Sequence, residues 1–407
     1  MKNPQDSSAA EALVSPGGGD LPNVILGGVP LLGKLTGIGH YTRQLAVAIQ
    51  KNQLVGDFKL WGDIGFLHPN NADRYVIEPE LMGQPTSQRD TIKSAMRHTA
   101  ARSYFASRLY SWVTEHVAER RLAPMRSSHV YHSPNYILPR FSGSKVITIH
   151  DLSVIRFPEF HRAQMVKMCE QGIRRAINEN TQIIVDSDLI GRELIEDFGV
   201  SEERVTPVHL APDDRCRPRS ESECTVAMDH WKLQYKSFFL SVGTIEPRKN
   251  LLRLFEAFRT GRRARLFDWP LVVVGSSGWK SDREHEALRA LCRDGLALYL
   301  GYLTDADLHM LYSSAGALVF PSLYEGFGLP AADASASGCR VITSEKTAMA
   351  EIVDKDAALI DPHDWHSILE AMHKASSADG PLSNALWERS WSDVATETVA
   401  VYAAASA

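Results

Sequence analysis

From residue 23 onward, short β-branched and apolar runs alternate with longer amphipathic stretches, a pattern that leaves little room for anything but βα units on parallel sheets. The alternation runs in two series. In the first, strands are expected at 24–26, 58–61, 129–132, 146–150, 183–187 and 205–210, with helices at 38–49, over most of 90–121, at 159–178 and at 189–198. In the second, strands are expected at 238–242, 271–274, 296–300, 317–320, 340–343 and 357–360. Between the series the periodicity lapses into PDDRCRPRSESE, a polar stretch suited to an interdomain connection. The resulting division is a loose tail at 1–22, a first α/β domain at 23–215, a connection at 216–236, a second α/β domain at 237–385, and a terminal segment at 386–407. That last segment reads as an amphipathic helix anchored by Trp391, Val394, Val401 and Tyr402; periodicity does not say which domain it packs on. Two doubly wound sheets imply a cleft where the carboxyl ends of their strands face each other.

Composition removes several other classes. With 407 residues, 44% of them hydrophobic, and no apolar run of membrane-spanning length, the chain is expected to be globular and not integral to a membrane. A net charge of −5 argues against whole-surface binding to nucleic acid. Five scattered cysteines without a C-x-x-C pair argue against a disulfide framework or structural zinc, and so for a reducing compartment. The first residues lack the basic start and apolar centre of a signal peptide.

Chemistry concentrates at strand-to-helix loops. In ALVFPSLYEGFGLPAADASASG (317–338), a buried strand leads into Glu325, Gly326 and Gly328, then Pro330 at a helix start. Glycines admit close backbone approach, and N–H groups at a helix start suit an anion such as a diphosphate. Glu325 would accept hydrogen bonds from sugar hydroxyls. A glycine turn with a solvated glutamate fits the same residues. In SVGTIEPRKN (241–250), Arg248 and Lys249 stand where two cations would stabilise a diphosphate leaving group, or form an exposed basic turn. In VITIHDL (146–152), His150 ends a buried strand, where it could meet substrate with Asp151 orienting it, or serve only structure. GKLTGIGHY (33–41) places Gly37 and Gly39 before a helix as half of a dinucleotide fingerprint. The triplets Asp186-Ser187-Asp188 and Asp305-Ala306-Asp307 fit helix capping better than metal binding. Residues 89–145 hold ten Arg or Lys against three acids, interleaved with aromatics, which suits either an anionic membrane surface or a solvated basic face.

Together PSLYEGFGLPAADASASGCRVITS, SVGTIEPRKN, TIHDL and TGIGHYTRQL resemble, in order and spacing, the GT-B glycosyltransferases of family four, which move a sugar from a nucleotide donor with retention. The GTIEPRKN form is most similar to bacterial mannosyl- and rhamnosyltransferases that build O-antigen or exopolysaccharide. The resemblance implies two Rossmann-like domains, the first binding acceptor and the second the nucleotide sugar, with the terminal helix crossing back. It implies that Arg248 and Lys249 grip the donor diphosphate, Glu325 contacts the transferred sugar, and His150 faces that sugar. Gly37, Gly39, Thr244, Gly326, Phe327, Gly328 and Leu329 would approach the donor, the 326–329 loop through its backbone.

Two departures stand out. Asp333 occupies the position of the family's second glutamate, which holds the ribose, and Thr244 replaces an arginine after Gly243. The expected reaction transfers a mannose or related deoxyhexose, GDP-linked, to a glycan or lipid-linked glycan, without metal or other cofactor. The expected location is cytoplasmic, peripheral on the inner membrane face. A nucleotide-sugar epimerase, or an inactive scaffold subunit suggested by the two departures, are the alternatives.

Overall fold

The computed structural model describes residues 21–32, 35, 37–67, 104–353, 357–377 and 389–406, with the backbone alone for 104–111. Residues 1–20 of the expected tail and the 90–103 part of the expected basic helix lie outside the described residues.

Twelve described strands form two six-stranded sheets, every ladder parallel. The first contains β1 (Val24–Gly27), β2 (Phe58–Trp61), β3 (Val130–Ser133), β4 (Lys145–Ile149), β5 (Gln182–Val185) and β6 (Val205–Pro207), in the order β2-β1-β3-β4-β5-β6. The second contains β7 (Phe239–Val242), β8 (Leu271–Val274), β9 (Ala297–Gly301), β10 (Ala317–Phe320), β11 (Arg340–Ser344) and β12 (Ala358–Ile360), in the order β12-β11-β10-β7-β8-β9. Central strands such as β4, whose VITI is buried throughout, and LVVV in β8 are nearly continuous apolar runs because helices cover both faces of a parallel sheet.

Among the described residues, the helices of eight residues or more are α1 (Gly37–Lys51), α2 (Tyr104–Leu122), α3 (Ala163–Asn178), α4 (Asp188–Phe198), α5 (Glu221–Trp231), α6 (Leu251–Arg263), α7 (Asp282–Arg293), α8 (Asp305–Ser314), α9 (Leu329–Ala336), α10 (Trp365–Ser377) and α11 (Trp391–Ser406). Their ends follow local chemistry. The Ser187 hydroxyl caps α4 by accepting from the Ile190 N–H, and Gly199 ends it at φ 64°. The stretch expected to be a plain connection contains α5, opened by a reciprocal Ser220/Glu223 capping box. Its buried Cys224 and Met228 pack with Phe238 and Leu240 of the second domain, two apolar anchors being too few to show as periodicity.

The terminal helix α11 packs on the first domain. Trp391, Val394, Val401 and Tyr402 share a core with Val24, Leu26, Tyr41 and Leu45. A buried polar chain fixes the docking: the Tyr402 hydroxyl and His132 Nδ1 are 2.6 Å apart, and His132 Nε2 lies 2.8 Å from Thr148 Oγ1. Such groups are costly to bury unless paired, so the chain specifies how α11 seats.

Candidate active site

The carboxyl ends of the two sheets face across a cavity of about 540 Å³. Gly37, His40 and Gln44 of the first domain line one wall; Gly243, Thr244, Gly275 and Asp333 of the second line another, with Leu329 at the start of α9. Tight backbone crossing builds the second wall: a Cβ on Gly275, at φ +150°, would stand 1.9 Å from the Gly243 carbonyl oxygen.

Beside the cavity Arg248 and Lys249 converge on one carboxylate. Lys249 Nζ donates to Glu325 Oε1 at 2.6 Å, and Arg248 Nη1 lies 2.9 Å from Oε2. Arg248 also donates to Glu246 Oε1 at 2.7 Å and to the Tyr324 carbonyl at 2.6 Å. Burial favours the neutral carboxyl of Glu325, but the charges of Arg248 and Lys249 outweigh it and hold the group down at about 2. Lys249 is further fixed by its approach to the Phe320 ring, 4.7 Å from the centroid, and by its stem, whose Cε lies near Gly243. The α6 entry is tied down by Asn250 Nδ2, which donates to the Pro321 and Pro362 carbonyls at 3.0 and 2.7 Å.

The 326–329 loop behaves differently from the expectation that its glycines admit ligand. A Cβ on Gly326 would stand 1.7 Å from the His150 carbonyl oxygen, so this glycine lets the two domains' backbones meet. Phe327 is buried in the core cluster shared with the first domain. Gly328, at φ 101°, is the residue before α9, and a Cβ there would meet Met349. Gly39 likewise makes room inside its own domain, against Leu35 and the Pro30 carbonyl, whereas Gly37 has open space on the cavity wall.

At the end of β4, His150 is held by both ring nitrogens: Nδ1 lies 2.7 Å from Asp186 Oδ2, and Nε2 lies 2.9 Å from the Pro134 carbonyl. Asp151, expected to orient this ring, does not. Its Oδ1 accepts from the Ser153 N–H at 2.8 Å and lies 3.3 Å from the Tyr136 hydroxyl, the geometry of a carboxylate receiving the free N–H groups of a helical turn. Asp333 accepts the Asp213 N–H at 2.9 Å, and burial raises its pKa to about 7.

A second ionic cluster, not foreseen from sequence, joins the domains. Arg43 Nη2 of α1 lies 3.2 Å from Asp305 Oδ2 and 3.8 Å from Asp213 Oδ2; Arg215 Nη2 is 2.8 Å from each of those oxygens. Asp305 is thus a bridge between domains, while the α8 cap is Thr304, which accepts from the Asp307 N–H. Asp186 and Asp188 also differ from simple caps: the N-cap of α4 is Ser187, and Glu351 of the second domain accepts the Asp188 and Leu189 N–H groups at 3.0 and 2.9 Å. Asp188, His209 and Glu351 bring potential ligand atoms within 4.8 Å of one another, but both Glu351 oxygens already receive those N–H groups. The only local sequence hint of Asp186 is a carboxylate straight after the apolar run IIV at a strand's carboxyl end, the edge where parallel sheets place their sites.

Two doubly wound domains facing across a cleft define the GT-B fold. Residues 229–390 match the family described as glycosyl transferases group 1. Over 394 residues the chain is 28% identical to O-antigen chain mannosyltransferase B of Escherichia coli, covering 93% of this chain and 99% of that protein. Among solved structures, the Anabaena HepE complex with UDP-glucose aligns with a TM-score of 0.61 at 13% identity, covering 94% of this chain and 99% of that one. WaaG, a glycosyltransferase involved in lipopolysaccharide biosynthesis, aligns with a TM-score of 0.60 at 15% identity, covering 94% and 97%. The fold is GT-B, and residues 229–390 are similar to the group 1 glycosyl transferases.

Proposed function

We propose that this glycosyltransferase moves mannose or a related deoxyhexose from a GDP-linked donor to a hydroxyl of a growing lipid-linked polysaccharide, with retention at the anomeric carbon. The observation that carries the reading is the convergence of Arg248 and Lys249 on Glu325, with the Lys249 stem close behind Gly243 of the cavity wall. The cavity takes the nucleotide, with Asp333 toward the ribose; Arg248 and Lys249 take the diphosphate, and Glu325 takes the sugar hydroxyls. As the glycosidic bond breaks, negative charge grows on the leaving diphosphate and the two cations stabilise it. The leaving oxygen accepts the acceptor hydroxyl's proton, so attack comes from the same face and no protein nucleophile is needed. Two cations in place of a bound ion support metal independence; lost activity with chelator, restored by Mg²⁺ or Mn²⁺, would overturn it.

Likeness over nearly the whole chain to an O-antigen mannosyltransferase supports the choice of sugar and acceptor. Peripheral attachment to an anionic membrane is supported by exposed Trp112 and Val113 on α2, whose last turn carries Arg120 and Arg121. No described helix is long and apolar enough to cross a membrane.

Calorimetric titration with GDP, UDP, dTDP and ADP, using Lys249→Ala as control, tests the donor. Selective GDP binding, lost in the variant, is expected. Preference for UDP or dTDP changes the donor, and no binding at millimolar nucleotide removes the transferase site. Incubation of the parent with GDP-mannose and vesicles carrying lipid-linked glycan then tests transfer and attachment together.

A further inference from the structure

We infer that Asp186 is the positioning residue for His150: it fixes the Nδ1 edge of the ring, leaving Nε2 to exchange from the Pro134 carbonyl to a hydroxyl of the donor sugar. The inference deepens the transferase reading and rests on it.

The placement follows from strand register. Ile149 of β4 pairs with Val185 of β5, so the next residue of each strand, His150 and Asp186, emerges beside the other at the sheet's carboxyl end. Asp186 is 3% exposed, and its Oδ1 has no hydrogen-bond partner, so His150 is the side chain its carboxylate serves. The Pro134 carbonyl only accepts, so Nε2 carries a proton; the 2.7 Å contact between Nδ1 and Oδ2 requires another. A carboxylate on one imidazole nitrogen settles which edge is presented by the other.

The remaining neighbours confine the ring without replacing that function. Tyr41 of α1 packs edge-on, with centroids 4.7 Å apart. His132 of β3 is held neutral by burial and by the charge on His150. Asp151 adds a more distant negative charge, and His209 faces Asp186. Burial lowers the affinity of His150 for its proton, but the charge and hydrogen bond of Asp186, the Pro134 carbonyl and the charge of Asp151 together outweigh it, so the ring titrates above its ordinary value. Gly326 brings the loop after Glu325 against the His150 carbonyl, so this residue sits where the backbones of the two domains meet.

The test combines kinetics with an NMR titration of the His150 Cε1–H in the full-length protein without substrate. Asp186→Asn is expected to lower kcat/KM ~10- to 100-fold, as loss of an orienting partner does elsewhere. It should also move the His150 midpoint below that of the parent. In a His150→Ala background the same substitution should change kcat/KM by less than about twofold, since the residue acts through the ring. Asp186→Glu, which keeps the carboxylate, should recover part of the midpoint shift and serves if the Asn variant does not fold. Parent kinetics in Asp186→Asn, an unmoved His150 midpoint, or effects of Asp186 and His150 that simply multiply would overturn the assignment. A parent that transfers no sugar at all overturns the transferase reading instead, and the titration then decides the Asp186–His150 pairing by itself.

Discussion

Two ionic clusters flank the cleft, each with two cations and two carboxylates, yet they are built to different ends. Glu246, Arg248, Lys249 and Glu325 all belong to the second domain, within one sheet's loops. Arg43, Asp213, Arg215 and Asp305 are drawn from α1, the segment after β6, and α8, so they meet only when the domains do. The first cluster is therefore ready whether or not the cleft is closed. The second ties one domain to the other. Burial opposes ionisation in both, and in both the cations outweigh it, holding Glu325 and Asp213 each at about 2. Similar electrostatics thus serve a preformed grip in one place and a clasp in the other.

The largest break between the two should come from Lys249→Ala. Loss of one charge-stabilising donor is expected to lower kcat ~100-fold or more while each domain keeps its thermal transition. Stopped assays and calorimetry on the same preparation check this, and unchanged turnover would remove Lys249 from the reaction. Arg43→Ala should act on the other cluster: donor KM rises ~10-fold and kcat stays within ~3-fold, because Arg215 still meets both aspartates and Gln44 still donates to Asp213, while the ion pair from α1 to Asp305 is gone. A fall in kcat with KM unmoved would show that the clasp is part of the chemistry.

The smallest effect is on stability and depends on pH. Asp333 titrates near 7 in the fold because of burial, against 3.8 in an exposed chain, so the native state holds a proton that the unfolded chain has released between those values. Ionised Asp333 therefore destabilises the fold fully above pH ~7, and the penalty fades as pH falls toward 4. Asp333→Asn, which keeps an oxygen for the Asp213 N–H, should raise stability at pH 8 by ~1–2 kcal/mol, with the gain shrinking by pH 5. Denaturant melts at the two pH values decide it; an equal gain at both would mean that ionisation is not the cause.

How legible all this was depended on sequence distance. The strands declared themselves because a parallel sheet buried on both faces needs unbroken apolar runs, as in 271–274 and 317–320. Arg248, Lys249 and Glu325 stood out because glycines, a proline and charges cluster at strand ends. The clasp was invisible: Arg43 and Asp305 lie 262 residues apart, and Asp305 in isolation reads as a helix-start acid. Asp186 was misread for the same reason. Its neighbour Ser187 does cap α4, so the local explanation was sound for one residue and wrong for the next. The role expected of Asp151 failed because adjacency in sequence points consecutive side chains away from each other where a strand ends, while the adjacent strand supplies the true partner.

Because α11 seats in the first domain, the polypeptide passes between the domains twice, after β6 and again before Trp391. The two passages lie side by side: Pro212, Asp213, Cys216 and Pro218 from one and Arg389, Ser390 and Asp393 from the other line a common cavity of about 410 Å³. A body held by two neighbouring tethers can swing about the line through them far more easily than it can swivel or slide. Two crossings side by side set a single line about which the domains would turn, and the terminal helix, far from the chemistry in sequence, supplies one of them.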